Sequence, residues 1–136
     1  MLSHAAIPFI KYSATGNYIL VFDGRKTADW GSETYKKIAH YYKVDGVIAA
    51  KDTQAPVGID FRMKYINRDG GEVDMCGNGL RAISHFIHHK NLAHKPRLCF
   101  ETNKGRYFTD KVNDTYYRVQ MVELYDVNKI ALKKIF

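Results

Sequence analysis

One cysteine, Cys76, stands directly before a helical pattern in the segment EVDMCGNGLR, residues 72–81. The apolar residues that follow recur at i, i+3, i+6 and i+7, as on one face of a helix: Leu80, Ile83, Phe86 and Ile87. This pattern predicts a helix over about Asn78–Lys90, with Cys76 where the first main-chain amides have no intrahelical acceptor. Such a helix end favours anions, and it favours thiolate over thiol. The segment therefore predicts a thiol that exchanges a proton beside an anion-binding site.

The three residues after Cys76 are suited to a ligand that approaches the main chain. Gly77 and Gly79 lack the side chains that would keep a ligand from the amides, and Asn78 can cap the helix or bind a carboxylate. The alternative is that Cys76 is a small buried residue and that the glycines only shape the start of the helix. Cys99 alternates with apolar residues in a strand pattern and is predicted to be structural. Both cysteines are expected to be free thiols.

Strand patterns surround the predicted helix. Apolar and charged residues alternate strictly in Ile59–Tyr65, as a strand with one dry and one wet face requires. A first helix is predicted over Ser32–Tyr42, with Ser32 as its N-cap. Seven strands are predicted: Phe9–Ser13, Tyr18–Asp23, Gly46–Ala50, Ile59–Tyr65, Leu98–Thr102, Tyr107–Val112 and Tyr116–Val122. Mostly antiparallel strands with one apolar-faced helix predict an α+β fold whose sheet curls around that helix.

Length and composition predict one domain over residues 1–136, because an apolar content of 46% is sufficient for one core. No run approaches the roughly 18 consecutive apolar residues of a membrane span. The N-terminus has no leader pattern, so a cytoplasmic protein without membrane association is expected. The net charge of +7 suits anionic ligands, but the cations are scattered except for Lys129, Lys133 and Lys134. No nucleic-acid motif accompanies them, and nucleic-acid binding is not expected.

Three histidines follow one another closely in the predicted helix. His85 and His89 are four residues apart and would share one face, as two metal ligands do, with His88 beside them. No acidic residue or cysteine stands at ligand spacing nearby. The imidazoles are therefore predicted to lie on the solvent side of the helix, and no metal is expected.

Three segments of the chain together match the pattern of a known family. The segment YINRDGG leads into EVDMCGNGLRA around Cys76. KYSATGNYILVFD, at Lys11–Asp23, contains a Gly-Asn pair between two strand patterns, and FETNKGR, at Phe100–Arg106, contains a Thr-x-x-Gly turn. From about Lys11 to Met121 the chain resembles the N-terminal half of diaminopimelate epimerase, the cofactor-independent isomerase of lysine and cell-wall biosynthesis.

This resemblance implies a reaction and a set of site residues. Cys76 corresponds to the N-terminal-domain cysteine that is described as the proton donor of the catalytic pair. Asn17 and Asn67 correspond to residues that hold polar groups of the substrate, and Gly77 and Asn78 to residues whose amides hold its α-carboxylate. The implied reaction converts LL-diaminopimelate to meso-diaminopimelate without pyridoxal phosphate or metal. One cysteine thiolate removes the Cα proton, and a second thiol delivers a proton to the opposite face.

The family resemblance covers one of two similar halves, and the second cysteine belongs to another Cys-Gly-x-Gly segment in the other half. The printed sequence has no second segment of this kind. A C-terminal half or a second chain is therefore the expected partner, and the chain alone is expected to be inactive. Self-association through the exposed apolar wall is also expected.

Two alternatives to this function stay open. The chain can be a non-catalytic binding or assembly domain that keeps the carboxylate site, or a racemase of another amino acid. Tyr18 and Gly46 bear on the second alternative, because the family commonly has an acidic residue and a substrate-contacting glutamine at these positions.

Overall fold

The computed structural model describes residues 7–54 and 57–120. These residues form eight strands and two helices. The strands are β1 (Phe9–Ala14), β2 (Asn17–Asp23), β3 (Gly46–Lys51), β4 (Phe61–Asn67), β5 (Glu72–Val73), β6 (Arg97–Thr102), β7 (Gly105–Lys111) and β8 (Tyr117–Gln120). The helices are α1 (Ser32–Tyr42) and α2 (Gly77–His89).

All eight strands belong to one sheet. The order is β1-β2-β3-β4-β6-β7-β8, and β5 pairs with β4 alone. Only the β2–β3 and β4–β6 pairs are parallel among the described strands. Helix α2 contacts β1 at one end of the sheet and β8 at the other, so the sheet curls around it. The predicted α+β class, with a mostly antiparallel curled sheet around a central helix, is confirmed.

The two helices lie on opposite faces of the sheet and define two clusters of buried side chains. The apolar residues predicted on one face of α2 are fully buried against the inner face of the curled sheet. They form one cluster with Ile19 and Val21 of β2. Leu20 and Phe22, which alternate with them, face the second cluster around α1. This alternation explains why β2 is apolar on both faces.

A buried polar contact fixes α2 against the far part of the sheet. The hydroxyl of Ser84 donates to the carbonyl of Leu80 at 2.7 Å and lies 2.7 Å from the hydroxyl of Thr109 in β7. Ser84 and Thr109 are both fully buried, and each satisfies the other. The start of α2, where the chemistry is predicted, is therefore carried by a well-anchored helix.

The predicted cap of α1 is wrong. The N-cap is Gly31, whose backbone is extended (φ −75°, ψ 168°), and no side chain caps the helix. Ser32 is the first helical residue. Its hydroxyl is one residue beyond the N-cap position, from which a side chain accepts hydrogen bonds from the free N–H groups of the first turn.

The strand predicted over Ile59–Tyr65 is shifted by two residues, to β4. The reason is Asp60, which contacts β6 instead of joining the β3 ladder. Its N–H donates to the carbonyl of Cys99 at 2.9 Å, and its carboxylate accepts the N–H of Cys99 at 2.8 Å. The predicted alternation holds from Phe61 to Tyr65, with the apolar residues buried.

The C-terminal predictions reach beyond the described part of the chain. The strand predicted over Tyr116–Val122 is β8, and residues 121 and 122 lie outside the described residues, as do Lys129, Lys133 and Lys134. Neither α1 nor α2 is long and apolar enough to cross a membrane.

Candidate functional site

Cys76 is the N-cap of α2. Its backbone is extended (φ −151°, ψ 122°), and its Sγ accepts a hydrogen bond from the N–H of Gly79 at 3.4 Å. Its carbonyl accepts the N–H of Leu80 at 2.9 Å. The residue is partly exposed and is a free cysteine. The thiol thus lies at the amide end of the helix, as the sequence predicts.

The amides of the first helical turn are used unequally. The N–H of Gly79 is taken by the thiol. The N–H groups of Gly77 and Asn78 donate to no acceptor within residues 7–54 and 57–120. Two donors at the positive end of a helix therefore remain for an anionic ligand.

Asn78 is the second residue of α2, so the prediction that it can cap the helix is wrong. The cap is set by the extended backbone two residues earlier, at Cys76. The side-chain amide of Asn78 donates to the carbonyl of Ala14 at 3.4 Å, and its oxygen accepts from Arg81 Nη1 at 3.0 Å. The side chain ties α2 to the β1–β2 turn, while the main-chain N–H stays available.

The two glycines of the site have different roles. A Cβ added at Gly77 would lie 3.7 Å from Arg81 Nη1, which is ordinary contact. A Cβ added at Gly79 would lie 3.1 Å from both the side chain of Ile48 and the ring of Tyr65. Gly77 leaves the main chain open, as predicted. Gly79 makes room for the core, so its predicted role in ligand access is wrong.

The two predicted substrate-binding asparagines lie on one end of the sheet. Asn17 begins β2 and is partly buried, and Asn67 ends β4 and is exposed. Asp45 connects the residues that follow them: its carboxylate accepts the N–H of Tyr18 at 2.8 Å, and its carbonyl accepts the N–H of Arg68 at 2.9 Å. The substrate contacts of Asn17 and Asn67 stay a prediction.

Tyr65, predicted above only as the last residue of a strand, also lies in this region. Its ring is packed between Gly46 and Gly79, next to the start of α2. Burial and then the charges of Cys76 and Asp45 raise the pKa of Tyr65 to about 12. In the sequence Tyr65 is one of several alternating strand residues. The sequence signal for its position is Gly46, because the missing side chain there leaves room for the ring.

A cavity of about 420 Å³ adjoins the site at Asn78. It lies between the β1–β2 turn, α2 and the β7–β8 turn, and its walls include Arg81, His85 and Tyr117. Cys76 is not among its lining residues.

The histidines of α2 connect both ends of the sheet. His85 Nδ1 lies 2.9 Å from the hydroxyl of Tyr12 in β1, and His88 Nδ1 lies 3.0 Å from that of Tyr117 in β8. The predicted solvent position is thus wrong for both, because the curl brings β1 and β8 against the helix. His89 is exposed and stacks on His85. Within the described ranges, no group of three or more His, Cys, Asp or Glu residues can hold a metal ion.

His85 gives the first prediction. Burial, and then the electrostatic effect of His89 and Lys111, lower the pKa of His85 from its usual value of 6.5. The unfolded chain therefore takes up this proton at a higher pH than the folded chain, and stability falls as the pH falls below about 6.5. His85→Gln is expected to weaken this loss between about pH 7 and pH 5 in urea unfolding. The exposed His94→Gln is the control, and an equal pH slope in His85→Gln and the unsubstituted chain contradicts the prediction.

The chain has known relatives in sequence and in fold. A family model described as Diaminopimelate epimerase matches residues 9–125. The diaminopimelate epimerase of Campylobacter jejuni is 32% identical over 122 residues, which cover 88% of this chain and 47% of that protein. The diaminopimelate epimerase of Chromobacterium violaceum is 31% identical over 118 residues, 85% of this chain and 43% of that protein. The chain spans less than half the length of these curated relatives.

Solved structures with the same fold have lower sequence identity. A phenazine biosynthesis protein of the PhzF family from Enterococcus faecalis superimposes with a TM-score of 0.66 at 14% identity, over 92% of this chain and 50% of that one. A methylitaconate-delta-isomerase gives a TM-score of 0.60 at 16% identity, over 88% of this chain and 66% of that one. These likenesses show the fold alone.

Proposed function

Because the chain belongs to the diaminopimelate epimerase family, we propose that Cys76 is one of two acid/base groups of an isomerase that inverts the Cα centre of LL-diaminopimelate. The observation that supports this most is the contact between Cys76 Sγ and the N–H of Gly79 at the start of α2. A partly exposed thiol at a helix N-terminus is accessible to a substrate and lies beside main-chain donors.

The chemistry requires strong stabilisation of charge. A C–H bond beside a carboxylate is a very weak acid, so the carbanion-like transition state needs donors aimed at the carboxylate and a site without bulk water. The free amides of Gly77 and Asn78 supply donors of this kind within reach of a ligand held beside Cys76. Asn17 and Asn67 are proposed to bind the other polar groups of the substrate.

The proposal needs a second group on the opposite face of the substrate. Cys99 is not that group, because it is 2% exposed in β6 and burial raises the pKa of its thiol. We assign the second thiol to a C-terminal half or to a second chain, and we expect the present chain alone to be inactive. The reaction is proposed to run in the cytoplasm, without pyridoxal phosphate or metal.

Solvent isotope exchange tests this function. The chain is incubated with diaminopimelate in D2O, alone and together with a separately produced C-terminal half of the Campylobacter jejuni relative. Deuterium is expected at Cα only when both parts are present, as measured by NMR of the recovered amino acid. Exchange into another amino acid and not into diaminopimelate would favour the related racemase. A lack of exchange into any amino acid contradicts the isomerase function and leaves a binding domain.

A further inference from the structure

Tyr65 occupies a tightly bounded space next to the proposed reaction site. A Cβ at Gly46 would overlap the ring at Cε1 and lie 3.0 Å from the hydroxyl oxygen, and a Cβ at Gly79 would lie 3.1 Å from Cδ2 and Cε2. Tyr65 is 4% exposed. The ring thus fits between two residues without side chains, and the position of its hydroxyl is fixed by packing.

The hydroxyl of Tyr65 has no protein partner in the described part of the chain. None of the hydrogen bonds there involves it, including the bond between Cys76 and Gly79. No fully buried polar side-chain atom in the same residues lacks a partner, so this hydroxyl reaches solvent at the margin of its pocket. A hydroxyl held in this way, without a protein partner and in contact with solvent, can donate to a ligand that takes the place of water.

The surroundings of the Tyr65 hydroxyl determine to which ligand group it can donate a hydrogen bond. Burial and the charges of Cys76 and Asp45 raise the pKa of Tyr65 to about 12, so the phenol stays neutral and can donate a hydrogen bond. The carboxylate of Asp45 already accepts the N–H of Tyr18. A neutral donor binds a carboxylate without adding a cation beside the thiol, whereas a cation would change the charge balance at Cys76.

We propose that the hydroxyl of Tyr65 donates a hydrogen bond to the carboxylate of the amino-acid substrate held at the start of α2. This inference rests on the proposed function, because it takes the ligand to be the substrate of Cys76. With the N–H groups of Gly77 and Asn78, Tyr65 completes a set of three donors. A carboxylate has two oxygens and about four acceptor positions, so it can accept from all three.

Protection of Cys76 from alkylation measures this contact. The 136-residue chain is treated with iodoacetamide at increasing concentrations of meso-diaminopimelate, and modified Cys76 is quantified by mass spectrometry, with buried Cys99 as the internal reference. Tyr65→Phe removes only the oxygen and no protein hydrogen bond, so the melting temperature is expected to be unchanged. The half-protecting concentration is expected to rise roughly 10- to 100-fold, the range for a lost hydrogen bond to a charged group.

Tyr35→Phe is the matched control. Tyr35 is 1% exposed, and burial raises its pKa to about 12, but it lies in the other core cluster, around α1. The half-protecting concentration is expected to be unchanged in this variant. An equal loss of protection in both variants would show an effect through the fold and would overturn the proposed contact.

The other outcomes separate the two proposals. Equal protection of Tyr65→Phe and the unsubstituted chain by diaminopimelate overturns the Tyr65 contact and leaves the proposed function intact. Protection by a different amino acid only, lost in Tyr65→Phe, overturns the substrate and supports the contact. Failure of every amino acid tested to protect the unsubstituted chain overturns both.

Discussion

Replacing Cys76 with alanine is expected to abolish deuterium incorporation into diaminopimelate when the chain is supplied with the C-terminal half. General acid/base groups contribute about 10²- to 10⁴-fold to a rate, and no other thiol in the described residues lies at the start of α2. The rate of incorporation at Cα, followed by NMR, is therefore expected to fall by at least this factor. Retention of the rate would show that Cys76 is not an acid/base group of the reaction.

Two control variants separate the chemistry of Cys76 from its structural role. The sulfur also caps α2, so alanine removes the cap together with the thiol. Cys76→Ser supplies a hydroxyl that can accept the same N–H, and is expected to restore stability without restoring exchange. Cys99→Ala deletes the other thiol, and is expected to keep exchange while losing about 1 kcal/mol of stability. If Cys76→Ser were active, capping alone would explain the need for Cys76.

Gly46→Ala is expected to lower the free energy of unfolding by about 1–3 kcal/mol, as overpacking in a core does. The added methyl would overlap the ring of Tyr65, whose other edge packs against Gly79 at the start of α2. Gly46 lies in β3, which is paired with β2 on one side and β4 on the other, so a backbone shift that relieves the overlap would disturb the sheet. Its φ is not positive, and steric overlap is thus the cause of the loss. Urea unfolding at constant pH measures it.

Gly31→Ala is the control for this effect. A Cβ at Gly31, the N-cap of α1, would meet nothing within 4 Å. This variant is expected to lose less stability than Gly46→Ala, because it adds no steric overlap and loses only the preference of an N-cap for glycine over alanine. If Gly46→Ala were as stable as Gly31→Ala, the ring of Tyr65 would have to be mobile, and its hydroxyl would not be held in place for the substrate.

The family resemblance and the local structure around Cys76 were predictable because they depend on neighbours in the sequence. The apolar spacing after residue 79 predicts α2 to within one residue at each end. The same spacing puts Cys76 at its N-terminus. Strand alternation predicts most of the sheet, and its error at Ile59–Tyr65 arises where Asp60 bonds to β6, 39 positions along the chain.

Only the tertiary structure decided which side chains surround the thiol and what each one does. Gly79 supports packing instead of ligand access because Tyr65 and Ile48 fill the space beside it. His85 bonds to Tyr12, 73 positions away, because the sheet curls around α2. Periodicity records which face of a strand or helix is apolar, but not which distant residue that face meets. The sequence therefore determined that a thiol caps the central helix, and the fold decided that a buried tyrosine lies beside it.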